Sequence, residues 1–560
     1  MVIWLVASSV ANAQAWPPGA NIQDAASVQV SRDGFQGLSD LVPAVIPAEP
    51  IPLDPITQGS GLFSISLTNG WIGLEATNVD LVPGLDVLDV TIDILVNIND
   101  DLDKFNLDYS VLFSDSCTGY VEPFPVSATL PVSLEVVTGP EGKPVLDATI
   151  GTAVVTNELE SKYIQLDCAT GDILAIDALL DKFTGFSLVE LLIDYAQPLI
   201  EQQIQSQTAD IEAQIETALQ SAYLNQDVDV NGVMLHLELY PQDVTITPDG
   251  MDLRMQGLSS APPAECTTEF DTLGGSIRTD GTLPPVTQVP TDADAGLVLS
   301  DDWPDQALYS IWRGGVLCYD LSNGQIALPI ALDTGMLGLL GGDPFRALWP
   351  DAKPMIVRTE PRLAPVMKYD GVHDLVVVAH DVGVEFYAEL DYRNVHALGV
   401  AIDLDAGVDV ALDSTTGDMA VQVALGDDEI AVRVPSDEFA RGTEASIGTA
   451  FEGLVGSFIE PLLGDALQSL SFGLPNLNGV GLQSLTLAPH GDPTWLGAWA
   501  SVGPVTYTGS SGCGCGGCGG STDTAATDTG STGGTCNGGP AAPVVAVLLA
   551  GAFLRRRRRN

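Results

Sequence analysis

SLVELLIDYAQPLIEQQIQSQTADIEAQIETALQSA, residues 187–222, is the stretch on which the fold turns. Ser187 is a helix N-cap residue. Leu188, Leu191, Leu192, Tyr195, Leu199, Ile200, Ile204, Ile211, Ile215, Leu219 and Ala222 then fall on one helical stripe, with Gln and Glu on the other side. Pro198 should kink this helix. The segments before it have another period. Val90, Ile92, Ile94, Val96 and Ile98 alternate with Asp89, Thr91, Asp93, Leu95 and Asn97, and Phe105, Leu107, Tyr109 and Val111 alternate with Asn106, Asp108 and Ser110. Period-2 patterning with polar alternates predicts antiparallel strands with one wet face. Thr138 to Pro144 reads as a turn between two more strands.

The same plan occurs twice. A short helical pattern over 31–47, with Phe35, Leu38, Leu41 and Val42 on one face, precedes the first strands, and a strand pair ending near Gln256 follows the long helix. Beyond a Pro-, Thr- and Gly-rich region, Ser300 caps a helix bearing Trp303, Leu308, Ile311 and Trp312. Strands are expected from about Met355 to Val434. A second long helix follows with Ile447, Phe451, Leu454, Val455, Phe458, Leu462 and Leu467, and then a strand from Val480 to Leu487. The two halves share this order without a residue-level repeat.

The chain has 560 residues, enough for two domains of about 200. Hydrophobic residues make up 45% and mean hydropathy is +0.22, so a large core can be buried. Net charge is −53; without five tail arginines, 16 basic residues face 74 acidic ones. That balance excludes nucleic-acid binding, which relies on Lys and Arg at phosphates, and disfavours docking on anionic lipid through a basic patch.

Both ends read as export signals. Met1 to Ala11 is short and apolar, and Ala11-Asn12-Ala13 and Ala13-Gln14-Ala15 are cleavage candidates, so residues 1–15 are expected to be a signal peptide. Residues 506–539 form a Gly-, Ser-, Thr- and Cys-rich stalk, and 540–560 hold an apolar stretch followed by Arg555 to Arg559. At about 14 residues that stretch is shorter than the roughly 20 of a bilayer span. The flanking arginines belong on the cytoplasmic side. The tail resembles the C-terminal sorting signals of myxobacteria, in which a cysteine ahead of a short apolar helix marks removal and anchoring. Cys536 stands at that place, with Cys513, Cys515 and Cys518 nearby; a plain anchor is the alternative.

The body holds Cys117, Cys168, Cys266 and Cys318. Export permits disulfides, and four cysteines allow three connectivities. The expected one pairs Cys117 with Cys168 and Cys266 with Cys318, closing two loops of similar length. None of the five histidines lies in H-E-x-x-H or at zinc spacing from a cysteine, and G-x-S-x-G and P-loop motifs are absent. Asp227 to Glu238 fits a calcium-loop pattern, but Val233 to Leu239 alternates as a strand, so Asn231-Gly232 reads as a hairpin turn. No catalytic residue, cofactor or metal is assigned, and the chain is not expected to be an enzyme.

Several segments in this order resemble the bactericidal/permeability-increasing protein and lipopolysaccharide-binding protein family of the tubular lipid-binding superfamily. They are VQVSRDGF (28–35), TPDGMDLRMQG (247–257), LSDD (299–302) with LYSIWRGG (308–315), and FGLP (472–475) with LTLAPH (485–490). Cys117 and Cys168 also sit like that family's disulfide. The resemblance implies an α+β fold: two pseudo-symmetric barrels of twisted antiparallel sheet wrapped on long helices, joined by a central sheet into a boomerang. It places one lipid-binding barrel at 28–257, a linker and central-sheet region at 258–299, and a second barrel at 300–505. It implies phospholipid or another acyl lipid as ligand, held under the helices. The implied pocket walls are Phe35, Leu38, Tyr195 and Ile200 in the first half, and Ile311, Phe451, Leu454 and Phe458 in the second. The membrane would be met through the C-terminal anchor at the cell surface. The family's cationic route to lipopolysaccharide does not carry over to so acidic a chain. A structural or adhesive surface protein on the same fold is the alternative.

Overall fold

The structure is a computed structural model that describes residues 15–504, apart from 40–50, 54, 61–62, 112, 140–141, 158–160, 169–197, 199–201, 203–222, 231, 280, 324–330, 414–417, 425–429, 437–438, 440, 453–471, 474–479 and 492–493. The helix read over 187–222 lies outside the described residues except for Pro198 and Gln202, both helical. Residues 1–14 of the expected signal peptide, the expected stalk and the tail with Cys536 also lie outside them.

Among the described residues, three large antiparallel sheets make up the body, with a two-stranded sheet of Ala15–Trp16 and Ser276–Ile277 beside them. The spine of the N-terminal sheet is the strand Phe113–Thr138. One edge takes Phe105–Val111 and then Leu88–Ile98; the other takes Ile164–Cys168, Val154–Asn157 and Pro144–Ile150 in turn. Trp71–Pro83 and Ile51–Pro52 extend the sheet beyond Leu88–Ile98, and Phe63–Thr68 and Ile56–Ser60 extend it beyond Phe105–Val111. The alternation expected from the sequence is realised: Ile94, Val96, Ile98, Phe105 and Leu107 are buried, with Val90 and Ile92 packed on the same core. Asn106 and Asp108 on the other face are exposed. A sheet so patterned curls with its apolar face inward, because burial of that face is the main favourable term.

The central sheet runs Leu224–Val230, Val233–Thr247, Gly250–Ser260, Ile22–Ser31, Ala295–Ser300, Trp495–Pro504 and Val480–Pro489. Its first four strands belong to the first half of the chain and its last three to the second. The seam is the pairing of Ile22–Ser31 with Ala295–Ser300. Leu224–Val230 and Val233–Thr247 form the expected hairpin: Gly232 has φ 85°, and its N–H donates to Asp229 Oδ1 at 2.6 Å.

The C-terminal sheet runs Met355–Pro361, Leu375–Leu390, Arg393–Asp413, Asp418–Ala424 and Phe472–Gly473. Val366–Lys368 also pairs with Leu375–Leu390, and Ile430–Ser436 with Arg393–Asp413. Two helices not expected from the sequence, Thr334–Gly341 and Asp343–Leu348, bring Leu337, Leu340 and Phe345 into its core. The second long helix is described over 444–452, where Ile447 and Phe451 are buried.

The short helix after the first central strand is Arg32–Ser39. The helix expected after Ser300 is Asp302–Arg313, but its buried face differs from the expected one. Of Trp303, Leu308, Ile311 and Trp312 only Trp312 is buried; Asp302, Asp305, Gln306 and Ser310 are buried instead. The helix packs on the central sheet on one side and on Val366–Lys368 on the other, so polar side chains meet backbone groups there. Gln306 accepts from Ser259 N–H at 2.6 Å and donates to Ala20 C=O at 2.9 Å. Each such bond meets the cost of burying its polar groups.

Candidate functional site

Each outer sheet faces its own apolar interior. The N-terminal one is built from Phe105, Leu107, Phe124, Val121, Val126 and Leu130, with Ile94 and Val96 from the neighbouring strand. Cys117 lies in this wall, bonded to Cys168, with the two Cα atoms 4.2 Å apart in direct register. The C-terminal interior holds Val357, Val384, Phe386, Leu398, Val400, Ile447 and Phe451. Phe451 meets Phe386 edge-on, ring centres 6.0 Å apart. A second disulfide, Cys266–Cys318, ties the linker helix Glu265–Thr268 to the segment after Asp302–Arg313. Both pairings are the expected ones.

The side chains of three of the eight expected wall residues are described, and they stand in three places. Phe35 is buried with Val30 and Ala295 of the central sheet, flanked by Leu81, Leu88 and Met251. Ile311 is half-buried on the helix over the central sheet. Phe451 belongs to the C-terminal interior, and Ile311 is not among the side chains that form it. The side chain of Leu38, and Tyr195, Ile200, Leu454 and Phe458, lie outside the described residues.

A polar cleft of about 320 Å³ lies where the 139–144 turn meets the central sheet, lined by Asn21, Lys143, Glu238, Tyr240 and Gln256 among others. Lys143 Nζ binds Glu238 Oε2 at 2.6 Å and lies 4.9 Å above the Tyr240 ring. His236 stands between Glu238 and Asp227, at 3.0 and 2.8 Å. Burial works to raise the Glu238 carboxyl, but the bonds from Lys143 and His236 outweigh it and hold the group below its ordinary range. The bonds to Glu238 and then Asp227 raise His236. The carboxylates of the calcium-like pattern are thus engaged by a turn amide, a histidine and a lysine.

On the other face of the C-terminal sheet, Glu385 is buried between Arg362 and His396, which both bond to it. Gly399 leaves it room: a Cβ there would lie 2.7 Å from Glu385 Oε2. His380 is exposed on its strand and bonds Asp405 at 3.1 Å. His490 is buried against Trp499, and burial lowers its proton affinity. Among the described residues no group of three or more His, Cys, Asp or Glu side chains is placed to hold a metal, and no helix is long and apolar enough to cross a membrane. The polar group that sequence reasoning missed is Asp301, Asp302 and Asp305, all buried. Its signal, three acids in S-D-D-W-P-D at a helix start, is indistinguishable in sequence from ordinary solvent-exposed capping.

No family model matches the sequence, and no curated protein matches it. Among solved structures, the chain is similar to a lipopolysaccharide binding protein, at 11% identity and TM-score 0.50, over 87% of this chain and 100% of that one. It also matches P47 of Clostridium botulinum E1, at 10% identity and TM-score 0.22, over 87% and 99%. A third match is Takeout 1 of Epiphyas postvittana, at 15% identity and TM-score 0.21, over 33% and 92%. The first likeness carries the fold: curled antiparallel sheets on either side of a shared central sheet, the α+β arrangement expected from the resemblance.

Proposed function

We propose that this chain is an exported, surface-tethered protein that binds lipid by its acyl chains within the apolar interiors of its two curled sheets. One observation carries the reading. Two separate apolar interiors, each faced by one sheet, lie in a fold similar over 87% of this chain to that of a protein named for the lipopolysaccharide it binds. Acyl chains need little else, since each buried CH₂ contributes about 0.8 kcal/mol. The acidic surface, 74 acids against 21 bases, argues against holding the phosphates of lipopolysaccharide through a cationic patch. The reading assigns no enzymatic step. Tethering rests on the C-terminal stalk, apolar stretch and arginines, with Cys536 as the processing position.

Organic extraction of the purified protein followed by mass spectrometry should recover phospholipid or another acyl lipid, and the extracted protein should take up a fluorescent phospholipid. No extractable lipid and no uptake would overturn the reading. A second reading, a structural or adhesive surface protein with closed interiors, is favoured by the packing of Phe35 and Phe451 inside side-chain clusters. The same experiment separates the two.

A further inference from the structure

The helix Asp302–Arg313 is a wedge between the halves. It lies on central strands from the first half and reaches the C-terminal sheet by two bonds. Trp312 Nε1 donates to Pro361 C=O at 2.7 Å, and the Met367 N–H donates to Asp305 Oδ1 at 2.5 Å. Asp301, Asp302 and Asp305, at its first turn, are 7%, 7% and 5% exposed.

Groups from every packed element face this cluster. From the linker, Thr279 gives its N–H and hydroxyl to Asp302 Oδ1, and its hydroxyl also to Asp301 Oδ1. Arg278 lies over the Trp16 ring at 5.4 Å, and its charge acts on Asp302. From the last central-sheet strand pair, the Thr494 carbonyl accepts from Asp301 N–H. One turn on, Tyr309 and Arg313 are engaged with Asp271. From the C-terminal side, Lys368 is exposed, while Tyr369 is buried with its hydroxyl unpartnered and within electrostatic reach of Asp301 and Asp305. The charges that act on Asp305 are those of Asp301 and Asp302, both of its own sign.

We propose that Asp305 is held as a neutral acid, and that its ionisation releases the contact between this helix and the C-terminal sheet, so that the joint between the halves tightens in acid and slackens in base. An ion at this position would be buried beside two like charges, with the Met367 N–H as donor to its side-chain oxygen and no bond from the buried Tyr369 hydroxyl. Hydrating it requires the contact at Met367 to open. Burial first, and the neighbouring aspartates after it, push the Asp305 carboxyl up to about 8 against the opposing bond from Met367 N–H, and burial pushes Asp301 to about 6. The folded state therefore binds the proton more tightly than the unfolded chain does. The stabilisation is full below the ordinary carboxylate range and is lost as pH rises through the folded value, above which it changes no further.

Hydrogen exchange of the full chain between pH 5 and 9, corrected for intrinsic rates, tests this at the peptide holding Met367. Protection there should fall by about tenfold or more between pH 6 and 9, since each unit over which a proton is differentially bound is worth tenfold. Asp305→Asn keeps an acceptor oxygen but has no proton to lose; its protection should change by less than about threefold. Asp302→Asn removes a like charge that acts on Asp305, so its fall should begin at lower pH than the parent's. Asp301→Asn removes one like charge, so the fall should begin at lower pH, which provides a readout should Asp305→Asn not fold. A flat profile in the parent, an equal slope in Asp305→Asn, or an unmoved midpoint in Asp301→Asn overturns the proposal.

Discussion

Phe451→Ala asks whether the C-terminal interior is a packed core or an open lumen. Phe451 is 7% exposed, and its ring stands edge-on to Phe386 at 6.0 Å and 87°. Val357, Leu398 and Ile447 belong to the same cluster. If these side chains close around it, truncation leaves a cavity and costs about 3–5 kcal/mol. Of that, the ring pair accounts for about 0.5–1.5 kcal/mol, measurable in a cycle with Phe386→Ala. If the ring instead borders a lipid-filled lumen, bound acyl chain fills the vacated space. The cost should then be well below 3 kcal/mol in lipid-loaded protein and rise toward the full value after extraction. The assay is urea unfolding followed by tryptophan fluorescence, with Trp349→Phe as reference. Trp349 stacks on Phe345 and meets Phe439 edge-on in this same core, so the difference signal reports its loss. We expect the packed-core value at Phe451 in extracted protein. A cost below about 1 kcal/mol there would refute the placement of this ring among its neighbours.

Two further substitutions probe the frame. Removing either disulfide should cost about 2–5 kcal/mol, and non-reducing peptide mapping should return Cys117 with Cys168 and Cys266 with Cys318; free thiols or crossed pairs would contradict the structure. Gly296→Ala strikes the seam. Gly296 lies opposite Trp499, and a Cβ there would sit 2.1 Å from that buried ring. Over-packing should cost about 1–3 kcal/mol, more than the 0.4–1 kcal/mol gained from a stiffer unfolded chain. A neutral or higher thermal midpoint would show that the ring is free to move.

The strands most legible in the sequence were those with one wet face. Leu88–Ile98 and Phe105–Val111 follow their alternation because Asp, Thr and Asn mark the solvent side. Legibility failed where that contrast was missing. Thr334–Gly341 reads TGMLGLLG: three glycines and no charged residue leave no polar stripe to reveal a 3.6 period. Trp495–Pro504, WLGAWASVGP, went unread because it has no clean alternation and its glycines mimic a turn. In Asp302–Arg313 the pattern misled, since carboxylates and amides mark the solvent face only when no backbone partner waits inside. Ser259 and Met367, more than 45 residues away in each case, supply those partners, and separations that long leave no local signal. Of the expected wall residues, Phe451 is buried in the C-terminal interior, on the apolar stripe read in the sequence, whereas Phe35 packs on Val30 and on Ala295 at the central sheet, the latter a long-range contact with no local signal.

The strand order limits where such a molecule can yield. Ile22–Ser31, the first strand of the central sheet to be made, pairs with Gly250–Ser260 on one side and Ala295–Ser300 on the other. Ala295–Ser300 then pairs along its whole length with Trp495–Pro504. The centre is therefore one continuous ladder drawn from both halves, and parting the halves there would break it along a full strand. The contacts between Asp302–Arg313 and the C-terminal sheet are fewer and more polar, centred on Met367 and Pro361. Opening at that wedge exposes backbone groups that water can satisfy, and it leaves both apolar interiors and the ladder intact. If lipid enters or leaves the C-terminal interior by a movement between the halves, the wedge is the point of least resistance. A covalent clamp there, with residues 305 and 367 replaced by a cross-linkable pair, should slow uptake of fluorescent phospholipid without lowering the amount bound at equilibrium. Equal uptake rates with the clamp closed and open would place the route elsewhere.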